Sequence, residues 1–304
     1  MRIGLFLVQS KSVFQGRLKQ AAEDAAQRLG VTLDVAFAEG DSAQQREQLF
    51  AFIRRDPKPD GFLVQPIEAS GVRFVVREAH QKGLGCAFIN RHPTFVDELR
   101  AQTGGVVFSV TADNVEIGRI QGEQFRALLP EGGAVLYVTG PSSADSAAQR
   151  LEGAEKSKGP LVSIMRVAAN WTRQGGEQAV SDWLHTTLGM VRFDMLGAQN
   201  DDMAIGAREA LGHFADRLQQ PQLRTLPATG VDGLPEFGQR LVAARQLAAS
   251  VIMPTTTGEA LEMLVAALRG GPRPTTDVQL TVTPYPQTSA LRGGMTLAPI
   301  ANLV

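Results

Sequence analysis

The sequence predicts an α/β protein made of two doubly wound lobes with parallel sheets. Short apolar runs alternate with helical patterns along nearly all of its 304 residues, the rhythm of parallel strands covered by helices on both faces. At roughly 150 residues per domain, a chain of this length holds about two lobes. Hydrophobic residues make up 43% and charged residues 20%, the composition of a folded globular chain and not of a disordered one.

Each element has its own signal. Residues 2–8 read as a buried strand, Ile3 to Val8 being apolar apart from Gly4. Phe14, Leu18, Ala21, Ala22, Ala25 and Leu29 then recur at helical spacing, and Gly30 stops the helix. A strand at 31–37 and a polar helix around 43–54 follow, and Asp60-Gly61 signals a turn before the strand Phe62-Leu63-Val64. A helix near 69–82 leads to strand 84–89, which ends at Asn90-Arg91. Helix 114–128, strand 134–139, helix 144–157, strand 161–168 and helix 174–187 continue the alternation. Strand 193–198, helix 202–217, strand 225–231, helix 235–244 and strand 248–252 come next. A helix at 257–269 and a Thr/Val-rich extended segment at 276–283 complete the regular structure; from Tyr285 onward the chain either extends a sheet or wraps a surface.

Several function classes are excluded or disfavoured. Thirty basic against 31 acidic residues leave a formal charge of −1, without the basic excess of a nucleic-acid binder. The single cysteine, Cys86, sits in the apolar run Cys86-Ala87-Phe88-Ile89 and reads as an inert buried thiol; it excludes an internal disulfide and a multi-cysteine zinc site. No apolar stretch approaches the ~20 residues of a membrane span. No small-residue cleavage site follows the first apolar run, so no secretory signal is expected, although a chain trimmed of its leader would read the same. Neither a phosphate loop nor a dinucleotide-binding glycine pattern follows a strand, and there is no nucleophile elbow and no zinc-protease helix. His80, His92, His185 and His213 are scattered, and of these only His92 lies near other polar candidates. Asp201-Asp202 reads as a helix N-cap and its first turn. No catalytic constellation, metal or cofactor is expected.

In open parallel sheets, ligands bind beyond the carboxyl ends of the strands. Gln9–Gln15, Gln65, Asn90-Arg91, Ser142–Arg150, Asn200 and Asp232 all follow predicted strands. Polar residues gather there as a ligand cleft requires; loops of this kind are also polar for solvation alone.

Certain segments carry a specific resemblance. They are Thr111-Ala112-Asp113-Asn114 with Gly118 and Gly122, then Gln149-Arg150-Leu151-Glu152-Gly153, and the run Gly197 to Ala207. Gly230-Val231-Asp232-Gly233 and Ala249 to Pro254 with Gly258 follow in order. With these, residues 2–283 resemble the type I periplasmic sugar-binding proteins, of the ribose-binding kind. The resemblance implies two Rossmann-like lobes joined by a three-crossing hinge that closes on a ligand. The N-terminal lobe would be 1–112 plus 252–279 and the C-terminal lobe 113–251 plus 280–304. LacI-type repressors share this effector fold, but the sequence opens directly on its first strand, with no room for their DNA-binding headpiece.

By the same resemblance, Ser12, Phe14 and Gln15 of the first loop would meet the ligand, Gln65 would reach a hydroxyl, and Asn90-Arg91 would occupy the place of an Asp-Arg pair. Arg150, Trp171, Asn200 and Asp232 would supply an arginine, an aromatic face, an amide and a carboxylate, and Met253 stands where a hinge glutamine is common. Planar amide, carboxylate and guanidinium groups suit sugar hydroxyls, and aromatic rings suit the C–H face of the sugar. Phe14 and Trp171 could equally be core, and Arg91 and Arg150 surface ion pairs. Asn90 for Asp, with Arg91 and Arg150 kept, implies a pocket more positive than that of neutral-sugar binders, suited to a sugar acid or phosphorylated sugar, and Met253 for Gln removes a hydrogen-bonding side chain. The function implied is a non-enzymatic, monomeric solute-binding component of an ABC-type sugar transporter, periplasmic and handing its ligand to a permease. A ligand sensor feeding a regulator or kinase, cytoplasmic if Met1 is the native start, is the alternative, and an α/β enzyme acting on a sugar a more distant one.

Overall fold

Apolar, β-branched runs form the strands and the segments between them the helices, as the alternation requires. The computed structural model describes residues 1–103, 105–187 and 190–300. The chain begins β1 (Arg2–Leu7), α1 (Val13–Leu29), β2 (Thr32–Phe37), α2 (Ser42–Ile53), β3 (Gly61–Val64), α3 (Ala69–Gln81), β4 (Gly85–Ile89), α4 (Phe95–Thr103), β5 (Val107–Ala112). It continues α5 (Asn114–Leu128), β6 (Gly133–Thr139), α6 (Asp145–Ser157), β7 (Val162–Ala168), α7 (Arg173–Thr187), β8 (Met195–Ala198), α8 (Asp201–Arg217), β9 (Ala228–Thr229), α9 (Gly238–Ala243), β10 (Ser250–Ile252). The last elements are α10 (Thr256–Leu268), β11 (Asp277–Leu280) and β12 (Thr283–Tyr285).

Two compact units result. Met1–Ala112 with Pro254–Leu280 form one, and Asp113–Met253 with the chain from Thr281 onward form the other. The first holds a parallel sheet in the order β11-β5-β4-β3-β1-β2. Its central strands β1, β3, β4 and β5 are buried on both faces; Phe6 packs edge-on against Phe52 at 5.5 Å and Phe62 at 6.1 Å. The returning α10 is tied to α1 where the buried Thr257 hydroxyl donates to the Leu18 carbonyl at 2.6 Å. The second unit holds a parallel sheet in the order β7-β6-β8-β9 and an antiparallel pair β10-β12. In each sheet the strand order reverses beside the first strand of the unit, β1 in one and β6 in the other. That reversal opens a crevice at the carboxyl ends of β1 and β3, and again of β6 and β8.

The structure corrects the element reading at three places. Between strand 84–89 and the helix at 114 the sequence reading placed nothing, yet α4 and β5 lie there. Their signals are present: Phe95, Val96 and Leu99 share one buried face, and β5 is buried throughout. The strand expected at 225–231 is only Ala228–Thr229. Pro227 has no N–H to give a ladder, so single bridges, Thr229 with Ala249 and Asp232 with Ile252, carry the pairing onward. The extended segment 276–283 divides into β11, parallel to β5 in the first unit, and β12, antiparallel to β10 in the second.

Cys86 is 1% exposed, and burial pushes its thiol well above the ordinary range, as an inert core cysteine requires. The C-terminal segment wraps the second unit: Leu291 and Leu297 join its core, and the Leu297 N–H donates to Thr225 at 2.9 Å. Arg208, almost fully buried on α8, anchors that wrap. Its guanidinium donates to the carbonyls of Gln246 (2.7 Å), Arg224 (2.9 Å) and Ala298 (2.8 Å). Orphaning buried acceptors costs roughly 1–3 kcal/mol each. Arg208→Met is therefore expected to destabilise the second unit by about 2–4 kcal/mol. Urea unfolding followed by tryptophan fluorescence reads this directly, since Trp171 and Trp183 are the only tryptophans and both lie in this unit. An unchanged midpoint would show that the anchor contributes nothing.

Candidate functional site

In the first unit the polar residues at the strand ends form a chain of hydrogen bonds whose polarity is set by the backbone. The Val8 N–H, just beyond β1, donates to Gln15 Oε1 at 3.1 Å. That fixes the orientation of the amide, and Gln15 Nε2 donates to Gln65 Oε1 at 2.7 Å, across the β1/β3 reversal. Gln65 follows β3, and Gln45 clamps its loop: Gln45 Nε2 donates to the Gln65 carbonyl at 2.8 Å, and the Ile67 N–H donates to Gln45 Oε1 at 2.9 Å. Arg91 Nη1 donates to the Ile67 carbonyl at 2.7 Å. Asn90 ends β4 in the left-handed region at φ 60° and accepts from the Thr256 hydroxyl at 2.9 Å through Oδ1. Its Nδ2 is buried and has no partner.

The structure thus brings Gln15, Gln65, Asn90 and Arg91 together at the ends of adjacent strands. Ser12 and Phe14 have structural duties there. Ser12 caps α1 by accepting from the Gln15 N–H, and Phe14 is buried as the first core residue of that helix. His92 lies beside the Ser109 hydroxyl and 3.5 Å from the Asp97 carboxylate, turned to β5 and α4.

In the second unit Arg150 is the centre. It lies on α6, whose close approach to α5 depends on glycine: a Cβ at Gly118 would stand 1.9 Å from the Arg150 carbonyl, and one at Gly153 would stand 2.0 Å from that of Val115. Arg150 is 5% exposed, donating through Nε to Asn114 Oδ1 (2.9 Å), through Nη1 to the Gln199 carbonyl and through Nη2 to Met253 Sδ (3.3 Å). Its guanidinium stands 5.5 Å from the Trp171 ring centre. It makes no ion pair with a described residue, and burial, opposed by the Asp232 charge, lowers its pKa. Met253, expected only to remove a polar group, supplies the sulfur acceptor that holds this arginine.

Trp171 and Asp232 both occupy the left-handed region, at φ 70° and 99°. Strain of that kind persists where surrounding structure enforces it, and it gathers at functional sites. Gly140 makes the room for the Trp171 ring: a Cβ there would lie 2.0 Å from it. Gly140→Ala is therefore expected to expel the ring from its seat. The tryptophan emission should shift to the red with the secondary structure intact; an unchanged spectrum would mean that the ring does not depend on this glycine.

Asn200, not Asp201, caps α8. Its Oδ1 accepts from the Met203 N–H at 2.8 Å, and its Nδ2 donates to the Trp171 carbonyl at 2.9 Å, which leaves one N–H. Asp201 is the first residue inside the helix and is fully buried. It accepts from the Ser250 hydroxyl at 2.8 Å and from the Gly233 N–H at 2.9 Å, and burial raises its pKa to about 7. Burial also raises Asp202, to about 6, and raises Asp232 well above the carboxylate range, where Asp201 adds repulsion. Gln199, entirely buried, accepts from the Gly140 N–H at 2.9 Å and donates to the Ala147 carbonyl at 2.9 Å, supporting both loops. Sequence reading missed Asp201, Gln199 and Gly140 as site supports. Their position at the carboxyl ends of β6 and β8 was the available signal.

The donor groups at these strand ends suit a small polar ligand, and no group of three or more His, Cys, Asp or Glu among the described residues is arranged to hold a metal. Among the described residues, no helix is long and apolar enough to cross a membrane.

Known proteins with this pattern agree in fold. A galactofuranose-binding protein superposes with a TM-score of 0.80 at 22% identity, over 94% of each chain. The binding component of an arabinose transporter from Shewanella sp. ANA-3 does so at 0.80 and 21% identity, over 95% of this chain and 94% of that one. In sequence, a putative rhizopine-binding protein of Rhizobium meliloti is 28% identical over 69% of this chain and 67% of its own length. The ribose import binding protein of Salmonella typhimurium is 26% identical over 88% of this chain and 85% of its own. The sequence pattern that describes the periplasmic binding protein domain matches residues 3–272, so the chain belongs to the periplasmic binding protein family, with α/β lobes of type I.

Proposed function

We propose that the chain is a solute-binding protein for a carbohydrate-like small molecule and that it delivers this ligand to an ABC-type permease in the periplasm without chemical change. Gln65, Asn90, Arg91, Arg150, Trp171, Asn200 and Asp232 are the residues we propose for ligand contact, and a single chain suffices. The observation that carries the reading is Arg150: a buried cation, braced by three protein acceptors beside an aromatic face, with no ion pair among the described residues. The Asp232 charge opposes only part of the burial penalty on Arg150, and a polar ligand offsets more of it when it accepts from the remaining guanidinium N–H groups. Relatives named for ribose import and for rhizopine support the carbohydrate class.

A thermal-shift screen against neutral sugars, polyols, sugar acids and sugar phosphates tests it. Binding to the native state alone raises the melting temperature by mass action. A rise of several degrees with one carbohydrate class is expected. No shift with any member of the panel at millimolar concentration would overturn the carbohydrate reading.

A further inference from the structure

Asp232 is the one carboxylate among the residues proposed for ligand contact, and its backbone stands at φ 99°. Residues other than glycine avoid that region, and such strain persists only where surrounding structure over-determines it. The two peptide groups that flank Asp232 are each held at both ends. On one side, the Asp232 N–H donates to the Val251 carbonyl at 3.0 Å, and the Asp232 carbonyl accepts from the Met253 N–H at 3.1 Å. The opposite ends both go to Asp201: its N–H donates to the Val231 carbonyl at 2.7 Å, and its Oδ2 accepts from the Gly233 N–H at 2.9 Å. With both peptide planes fixed, so are φ and ψ of Asp232 and the direction of its Cα–Cβ bond. The Asp201 carboxylate is fixed in turn, because its Oδ1 accepts from the Ser250 hydroxyl at 2.8 Å. Glycine leaves it room: a Cβ at Gly230 would stand 2.1 Å from Oδ1, and one at Gly238 would stand 2.0 Å from Oδ2. Asp201 and Ser250 are wholly buried, and all of these groups belong to the second unit.

From this arrangement we infer that Asp201 is a positioning residue for ligand binding: touching no ligand itself, it grips both peptide groups that flank Asp232 and so sets the direction in which that carboxylate is presented. The inference rests on the carbohydrate reading proposed above, which places Asp232 at the ligand, and it adds the residue through which Asp232 is aimed. A binding group works only when its supports hold it within about 0.5 Å of the productive geometry. Without the Asp201 carboxylate the Gly233 N–H loses its partner, the peptide between Asp232 and Gly233 is free to turn, and Asp232 relaxes from its strained conformation. Shape and charge can be told apart. The amide of Asp201→Asn accepts from Gly233 and donates to Ser250, so it keeps the grip and removes the charge. Asp201→Ala removes both.

Isothermal titration of D-ribose, D-galactose, myo-inositol and D-galacturonate into the intact natural chain identifies the tightest-bound of these four probes, and a double-mutant cycle with that probe tests the inference. Asp201→Ala should weaken binding 10-fold or more, and Asp201→Asn should recover most of that loss. The second background is Asp232→Gly, which removes the side chain to be aimed and suits the φ of 99°. There, Asp201→Ala should change affinity by no more than about twofold, because the residue acts through Asp232; a merely structural residue would cost the same in both backgrounds. Should Asp201→Ala fail to fold, Ser250→Ala takes its place in the cycle. It removes the donor at Oδ1, lets the carboxylate turn away from Gly233, and should cost threefold or more with Asp232 present and nothing without it. Equal losses in the two backgrounds, no loss in either, no recovery with Asp201→Asn, or an Asp232→Gly chain as tight as the natural one would overturn the inference while leaving the carbohydrate reading intact. Binding of none of the four probes by the natural chain would overturn both.

Discussion

Raising the pH from about 4 to about 7 should destabilise the second unit on the order of a few kcal/mol. Asp201 is one cause. Buried at the start of α8, its carboxyl titrates near 7 in the fold and near the ordinary value of about 3.9 in the unfolded chain. The folded state therefore holds a proton that the unfolded state releases. The stabilisation is complete below the unfolded value, falls as pH rises, and is lost once pH has passed through the folded value. Asp202, raised to about 6, and Asp232, raised further, act in the same direction. Glu78, Glu116 and Asp216 act oppositely: arginine partners hold them below the usual range, so their stabilisation is lost only as pH falls through that lower range. The most stable condition should be weakly acidic. Asp201→Asn removes its share of the dependence and keeps both bonds, since an amide oxygen accepts from Gly233 and its N–H donates to the Ser250 oxygen. Urea midpoints read by tryptophan fluorescence at pH 5, 6, 7 and 8 should fall steadily for the natural chain and less steeply for Asp201→Asn. Equal slopes for the two would remove Asp201 as a cause.

Arg150→Met should abolish most ligand binding, by about 100-fold or more, the worth of two charge-assisted hydrogen bonds. The methionine fills the aliphatic track of the arginine, so the α5–α6 packing at Gly118 and Gly153 remains. The carbonyl of Gln199 and the Asn114 amide oxygen lose a donor, but the fold no longer buries a guanidinium whose burial the Asp232 charge only partly offsets, and the two effects oppose each other. Binding should suffer far more than the unfolding midpoint does. Affinity within threefold of the natural chain would show that Arg150 is structural only.

The fold was legible because its signals are local. Strand runs such as Ile3–Val8 and Gly-terminated helices such as the one ending at Gly30 need no tertiary knowledge. β9 shortened because Pro227 interrupts pairing, a backbone effect visible in the sequence once neighbouring strands are known. α4 and β5 carried ordinary signals that the reading passed over. At the candidate site, residue types and strand-end positions were legible, but hydrogen-bond direction was not. Gln15 and Gln65 look alike in sequence, and only the Val8 N–H makes one a brace and the other a donor. Asp201 reads as a cap, yet Asn200 takes the cap and sends the carboxylate inward to Ser250, a partner 49 residues away. Long-range pairings of that kind have no sequence period.

The claim at the centre of this account is that the chain binds a small carbohydrate-like ligand through its strand-end arginines. Calorimetric titration of the strongest ligand from the carbohydrate panel into the natural chain, Arg91→Met and Arg150→Met tests it most directly. The account predicts that each substitution weakens binding by 10-fold or more. A variant that binds that ligand as tightly as the natural chain would contradict it.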